Sequence, residues 1–306
     1  MKWLSKFTDQ DFWRIGLIDA HPLEVIENGL SHYEIRWFNF TDKDFEADPF
    51  VFVLDAKAYI GYEIFDYSHG NGKIECVDFD GKRYNFFADI NKVVGHKSFP
   101  FTFESEGELY SIVETSDLNE ISLYKFNKNK FEKIKTMLSG AKYVDTCVKQ
   151  IDDTFYLFTS TADEPFKQQL FFSDSLLGDF QAHPCSPIAN DKAFGRNGGP
   201  IIERTDDYSS SEYYRVCQNC AVTYGGSLKV MKITEISKSR YKEEFFNDVM
   251  PIEPFSDGIH TLSCWDNMTV IDSKNILTKY SNIYRKIKYL VMVKLGTEIP
   301  FFNVKD

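Results

Sequence analysis

Five phrases of one design recur along the chain. They read ADPFVFVLDAKAYIGYE from Ala47, SFPFTFESEGELYSIVE from Ser98 and VDTCVKQIDDTFYLFTS from Val144, with weaker copies GGPIIERTDDYSSSEYYRVCQ from Gly198 and GIHTLSCWDNMTVIDS from Gly258. Each has a polar or small opening, an alternating apolar run, a turn and a second aromatic-rich run. Taking Asp48, Ser98, Asp145, Gly199 and His260 as markers, the intervals are 50, 47, 54 and 61 residues. A strand-built repeat of roughly 40–50 residues is the signature of a propeller blade. The expectation is an all-β, five-bladed β-propeller forming one domain over residues 1–306. Its blades fall near 47–95, 96–140, 141–192, 193–250 and 251–306. The ring closes by pairing N- and C-terminal strands, with WRIGLI (13–18) and YLVMVKL (289–295) as candidate partners, because closure removes a free edge. A β-sandwich with an N-terminal appendage is the alternative, but five spaced repeats fit it poorly. The first strand of a blade lines the axis, so the residues that open the repeats should converge there.

The local signals agree with many short strands. Twenty-eight Phe and 17 Tyr suit half-buried pleated surfaces. Turn signals stand at Gly70-Asn71-Gly72, Asp80-Gly81, Glu106-Gly107, Asp152-Asp153, Asp206-Asp207 and Gly225-Gly226. Residues 237–249 (SKSRYKEEFFNDV) are the best candidate for a short helix. Residues 126–140 fit helix or strand, and residues 273–294 are ambiguous with a strand-like end.

A formal charge of −11 argues against nucleic acid or an anionic membrane surface as the main partner. No segment approaches the roughly 18–20 apolar residues of a membrane span. The first residues, MKWLSKFTDQDFWRIGLI, lack the apolar core and cleavage site of a secretory signal. The expectation is therefore a cytoplasmic protein whose six scattered cysteines are reduced. Cys217-Gln-Asn-Cys220 is a lone CxxC without the second pair that zinc requires. His69-Gly70-Asn71-Gly72-Lys73 is glycine-rich but is not followed by a helix as a phosphate loop would be.

Several segments, in order, carry a family resemblance: ADPF (47–50), GYEIFDYSHGNGKI (61–74), SFPFTFESEGELYSIVE (98–114), FFSDSLLGDFQAHP (171–184), CQNCAVTYGG (217–226) and GIHTL (258–262). Together they resemble the N-terminal domain of plant glucosamine inositolphosphorylceramide transferases and its bacterial relatives, over roughly residues 13–295. That domain is similar to the five-bladed propellers of glycoside hydrolase family 43. The resemblance implies a carbohydrate or sugar-nucleotide ligand, a link to surface-polysaccharide biosynthesis and a separate biosynthetic enzyme as a partner. On this reading the chain carries the propeller without the transferase domain attached in some relatives.

The same resemblance suggests site residues. Family 43 enzymes invert with a base in a D-P motif on the first inner strand, matched by Asp48-Pro49, and a tuning aspartate in the third blade, matched by Asp145. Inversion leaves about 6.5–9.5 Å between base and acid for a water. The acid's usual place, in the fourth blade, falls near Gly199 of Arg196-Asn-Gly-Gly-Pro200, and glycine has no proton to donate. Glu63 and Glu114, each ending a second strand, are the substitutes, provided burial raises their pKa. Arg196, Gln218, Asn219, His260, Lys73 and Tyr62 are candidate substrate contacts. Arginine can grip phosphate bidentately, and amides suit sugar hydroxyls. Asn219 stands where relatives have an acid. Tyr67 and Trp265 could offer stacking faces, although most aromatics in so aromatic a chain are core. No metal ligand set and no cofactor are expected. The chemistry left open is glycosidase-like hydrolysis or glycosyl transfer with a non-standard acid; the alternative is a propeller that binds a glycan or sugar nucleotide without turnover.

Overall fold

The computed structural model describes residues 8–67, 70–205, 211–280 and 282–284. Its strands form five antiparallel sheets, and the five inner strands neighbour one another in a closed circle. Listed from the axis outward, the first blade holds Glu46–Leu54, Lys57–Asp66, Asn71–Asp78 and Arg83–Tyr84. The second holds Ser98–Ser105, Glu108–Glu114, Glu120–Asn127 and Lys130–Ser139. The third holds Tyr143–Ile151, Thr154–Thr161, Lys167–Ser173 and Gln181–Ala182, with the short Ala189–Asn190 also on its third strand. The fourth holds Asn197–Thr205, Ser211–Asn219, Ser227–Ile236 and Tyr241–Val249.

The fifth blade is assembled from both ends of the described chain: Leu262–Trp265, Met268–Thr278, Asp9–Ile18 and Arg36–Trp37. The first and last segments thus pair, as expected. The partner of residues 13–18 is the stretch from Thr269 to Lys274, in register from Trp13↔Lys274 to Ile18↔Thr269. The run 289–295, named as the partner from sequence, lies outside the described residues. A short helix, Pro22–Asn28, follows the closing strand and buries Leu23, Val25 and Ile26 in the core beside the fourth blade.

Local sequence explains the hairpins. Two-residue turns join inner and second strands in the first, second, third and fifth blades, opened by Asp55, Glu106, Asp152 and Asp266 with φ near 50°. Aspartate tolerates this left-handed conformation better than most residues. Residues 237–249 are not a helix. A turn in which Ser237 N–H donates to the Arg240 carbonyl (2.9 Å) leads into an outer strand. There Glu243 turns inward to a bidentate ion pair with the fully buried Arg215, while Lys242 and Glu244 on either side are exposed. That two-residue alternation belongs to a sheet edge.

The core fills the spaces between neighbouring blades. Ile15 of the closing strand packs with Val51, Ile60, Ile64 and Val270 between the fifth and first blades. Ile15→Ala should cost about 2–5 kcal/mol, because this fully buried site opens a cavity in the seam. Ile276→Ala, on the exposed part of the paired strand, should change stability by no more than about 0.5 kcal/mol. Chemical denaturation checks both, and equal losses would contradict a seam held by its buried face.

Candidate functional site

Four of the five inner strands are interrupted near their starts. The ladder slips between Ala47 and Phe50, between Ser98 and Phe101, between Val144 and Cys147, and between Asn197 and Ile201. Within each bulge one residue has positive φ: Asp48 (49°), Phe99 (47°), Asp145 (48°) and Gly199 (151°). Each stands two residues before the strand resumes, and His260 stands equally far before Leu262 of the fifth. A bulge turns a side chain out of the sheet's alternation. Repeated around the ring, it brings the openers to one end of the axis. In the second repeat the equivalent residue is Phe99, one past the Ser98 marker.

Asp48 is buried and held on several sides. Its Oδ1 accepts from the Thr261 hydroxyl (2.7 Å) and lies 3.3 Å from His260 Nε2; its Oδ2 accepts from Phe99 N–H (3.2 Å). His260 Nδ1 lies 2.7 Å from Oδ2 of Asp272, and the same Asp272 oxygen accepts from Asp48 N–H (2.9 Å). The other Asp272 oxygen accepts from the N–H groups of His260 and Thr261. Burial raises the Asp48 pKa to about 6; His260 pulls it down, while Asp272 and Asp145 push it up. Burial opposes charge on His260, but Asp272 and Asp48 outweigh it and the imidazole pKa rises.

Asp145 sits across the site in an ion pair with Arg196 Nε. Gln218 Nε2 lies 3.4 Å from its Oδ2, and Asn197 donates to its carbonyl (2.7 Å). The Arg196 guanidinium also lies 5.5 Å from the centre of the Tyr224 ring, which packs against His260. Glu114 Oε2 accepts from Asp145 N–H (3.1 Å). Burial, then the charge of Asp145, lifts the Glu114 pKa to about 8 against the opposing pull of Arg196.

Glu63 occupies the position in the first blade that Glu114 occupies in the second: they pair with Ala47 and Ser98, the last residues before the bulges. Its pKa is raised well above the usual range by burial and by Asp48, Glu114 and Asp145. Its Oε1 lies 3.4 Å from His96 Nε2. Because Gly72 N–H donates to His96 Nδ1 (2.9 Å), the imidazole proton sits on Nε2 and faces Glu63.

The structure therefore gathers Asp48, Asp145, Glu63, Glu114, Arg196, Gln218 and His260. Three other sequence candidates stand apart. Tyr62 points the opposite way from Glu63, fully buried against Phe40 in the core between blades. Lys73 is exposed and paired with Glu75. Asn219 bonds Ser227 and Ala221 N–H within its own turn. Tyr67 donates to the Asp11 carbonyl, and Trp265 lies towards the far end of the axis. Cys217 and Cys220 are free and buried.

Asp272, Tyr224, Thr261 and His96 are contacts that sequence reading did not name. Asp272 could have been noticed as an acid inside the apolar run TVIDS. Asp48, His260 and Asp272 bring ligand-type atoms within 4.8 Å of one another. Both imidazole nitrogens face carboxylates, however, and Asp272 is saturated by backbone N–H groups. The trio fits a proton-bridged relay and does not fit a metal centre.

Gly199 is fixed by its surroundings. A Cβ there would lie 1.9 Å from the Leu262 carbonyl oxygen, so no side chain fits this backbone. Among the described residues no helix is long and apolar enough to cross a membrane.

Solved structures share this fold at low sequence identity. The α-L-arabinofuranosidase PaAbf62A from Podospora anserina superposes with a TM-score of 0.53 at 9% identity, covering 75% of this chain and 90% of that one. The GH62 α-L-arabinofuranosidase catalytic domain from Coprinopsis cinerea gives 0.54 at 12% identity, covering 74% and 80%. A thermostable family-43 glycoside hydrolase gives 0.50 at 13% identity, covering 76% and 88%. In sequence, glucosamine inositolphosphorylceramide transferase 1 of Oryza sativa subsp. japonica is 29% identical over 211 residues, 65% of this chain and 28% of the relative. The Arabidopsis thaliana protein of the same name is 29% identical over the same length, 27% of that relative. The chain thus spans little more than a quarter of the curated relatives it matches. The family model for the N-terminal region of glucosamine inositolphosphorylceramide transferase 1 matches residues 37–256, and the chain belongs to that family.

Proposed function

We propose that this chain is a carbohydrate-active protein that handles a glycan or activated sugar at the carboxylate end of its axis, with glycosyl transfer as the favoured reaction. The observation that carries this reading is the split between two neighbouring acids. Burial raises both pKa values, that of Asp48 to about 6 and that of Glu114 to about 8, so Glu114 keeps its proton to higher pH than Asp48. A base and an acid poised on either side of neutrality are what proton transfer to and from a sugar oxygen requires. Glu114 then takes the role that Gly199 leaves vacant, from the second strand of the second blade. Arg196 and Gln218 contribute positive charge and hydrogen bonds; Gln218 Oε1 is buried without a partner and suits a sugar hydroxyl. A phosphate or nucleotide leaving group needs little protonation, so transfer tolerates a displaced acid better than hydrolysis does. Membership in a family whose curated relatives are named as glucosamine transferases supports a sugar as the ligand.

A second reading, binding without turnover, is favoured by the saturation of Asp48. Thr261, Phe99 N–H and His260 already occupy its oxygens. Turnover of a panel of sugar nucleotides and capsule-type oligosaccharides separates the two. For transfer, Asp48→Asn should lower kcat by about 10²–10⁴-fold and Glu114→Gln by less, because the leaving group needs little protonation. Unchanged turnover in Asp48→Asn would sink the catalytic reading, and a parent that binds but never turns over would establish the second.

Stability should report the Glu114 proton directly. Its folded pKa of about 8 lies above the ordinary 4.5, so between these values the folded chain holds a proton that the unfolded chain has lost. This stabilising contribution is complete below about pH 4.5 and drains away as pH rises towards 8. Denaturation from pH 5 to 8 should show a falling contribution in the parent that is missing in Glu114→Gln; parallel profiles would contradict the raised pKa.

A further inference from the structure

At the opposite end of the axis the inner strands splay into a cavity of about 620 Å³. It is lined by the later halves of those strands and by hairpin residues of the second, third and fifth blades, and none of the axial carboxylates described above lines it. An aromatic layer lies between the two ends. Phe99, whose N–H holds Asp48, packs edge-to-face on Phe50 at 4.7 Å; both rings are fully buried, and Phe50 forms part of the cavity wall.

The chemistry of the wall is mixed. Phe103, Tyr213 and Trp265 are partly exposed and present ring surface to the space. Gln150, Glu104 and Asp152, all exposed, add planar amide and carboxylate groups at the rim. Among the described residues of the lining Lys149 is the one cation, and it is engaged by Glu203 at 2.7 Å. With Glu104 and Asp152 beside that neutralised pair, the cavity carries net negative charge and disfavours phosphate or a nucleotide. Ring faces alternating with planar hydrogen-bonding groups complement a pyranose, which offers C–H faces to aromatics and hydroxyls to amides and carboxylates.

We propose that this far cavity is a second binding site, separate from the axial carboxylates, that takes a neutral oligosaccharide. A propeller with such a site would hold a glycan chain at one end of the axis whatever chemistry takes place at the other.

Calorimetric titration of the intact chain with cellotetraose, xylotetraose and mannotetraose tests this. At least one should bind with Kd on the order of 1 mM or tighter. Tyr213→Ala should weaken that binding about tenfold through loss of a stacking face. The rim variant Glu104→Ala/Gln150→Ala, which changes only exposed side chains, should weaken it in the same direction. Glu114→Gln, at the other end, should leave it unchanged. The proposal is overturned if none of the three sugars binds at about 10 mM, or if binding is lost in Glu114→Gln and kept in both cavity variants. Absence of turnover would refute catalysis at the carboxylate end without touching this result.

Discussion

The axial end of this propeller depends on the ion pair between Asp145 and Arg196. Five carboxyl groups, Asp48, Glu63, Glu114, Asp145 and Asp272, converge on a region that also holds two cationic side chains, Arg196 and His260. Buried charge persists only where it is paired and hydrogen-bonded. Arg196 offsets Asp145, and His260 bridges Asp48 and Asp272. Burial first, and then the neighbouring carboxylates, raise the pKa of Glu63 and Glu114, and among the described residues neither has an ion pair with Lys or Arg to offset this. The split between ionised and protonated acids thus follows from charge balance in a confined space.

The fold was legible because its repeat is written twice, in spacing and in alternation. Polar openings recur at blade intervals, and period-two runs follow them. The openings also located Asp48, Asp145, Gly199 and His260 at equivalent backbone positions. Ser98 missed its equivalent by one residue because a bulge inserts a position that a linear comparison cannot assign. Tyr62 and Glu63 illustrate the parity problem. They are neighbours in sequence, but a strand sends one into the core and the other to the axis. The helix expected at 237–249 failed for a tertiary reason, since Arg215, two strands further in on the same blade, pairs with Glu243. Asp272 was passed over because it opens no repeat; its one signal was an acid inside the apolar run TVIDS.

The resemblance to glycoside hydrolase family 43 places the acid near Gly199, and the backbone there leaves no room for one. Its φ of 151° and the Leu262 carbonyl pressed against its missing Cβ make the position intolerant of any side chain. An acid cannot be restored there without moving the fifth inner strand. Any proton donor must come from elsewhere in the ring, and the second strands of the first and second blades are where the fold places carboxyls that keep their protons.

Those second-strand acids face the same end of the axis as the bulges, and this polarity organises the whole ring. Bulges near the starts of four inner strands bring Asp48 and Asp145 to one end, whereas among the described residues the ladders run on towards the other end without a further register shift. One end therefore becomes crowded, polar and desolvated, and the other becomes an open aromatic-walled cavity. The Phe50–Phe99 contact lies where the two regimes meet, and Phe99 belongs to both: its backbone N–H binds Asp48, and its ring packs edge-to-face on Phe50 of the cavity wall.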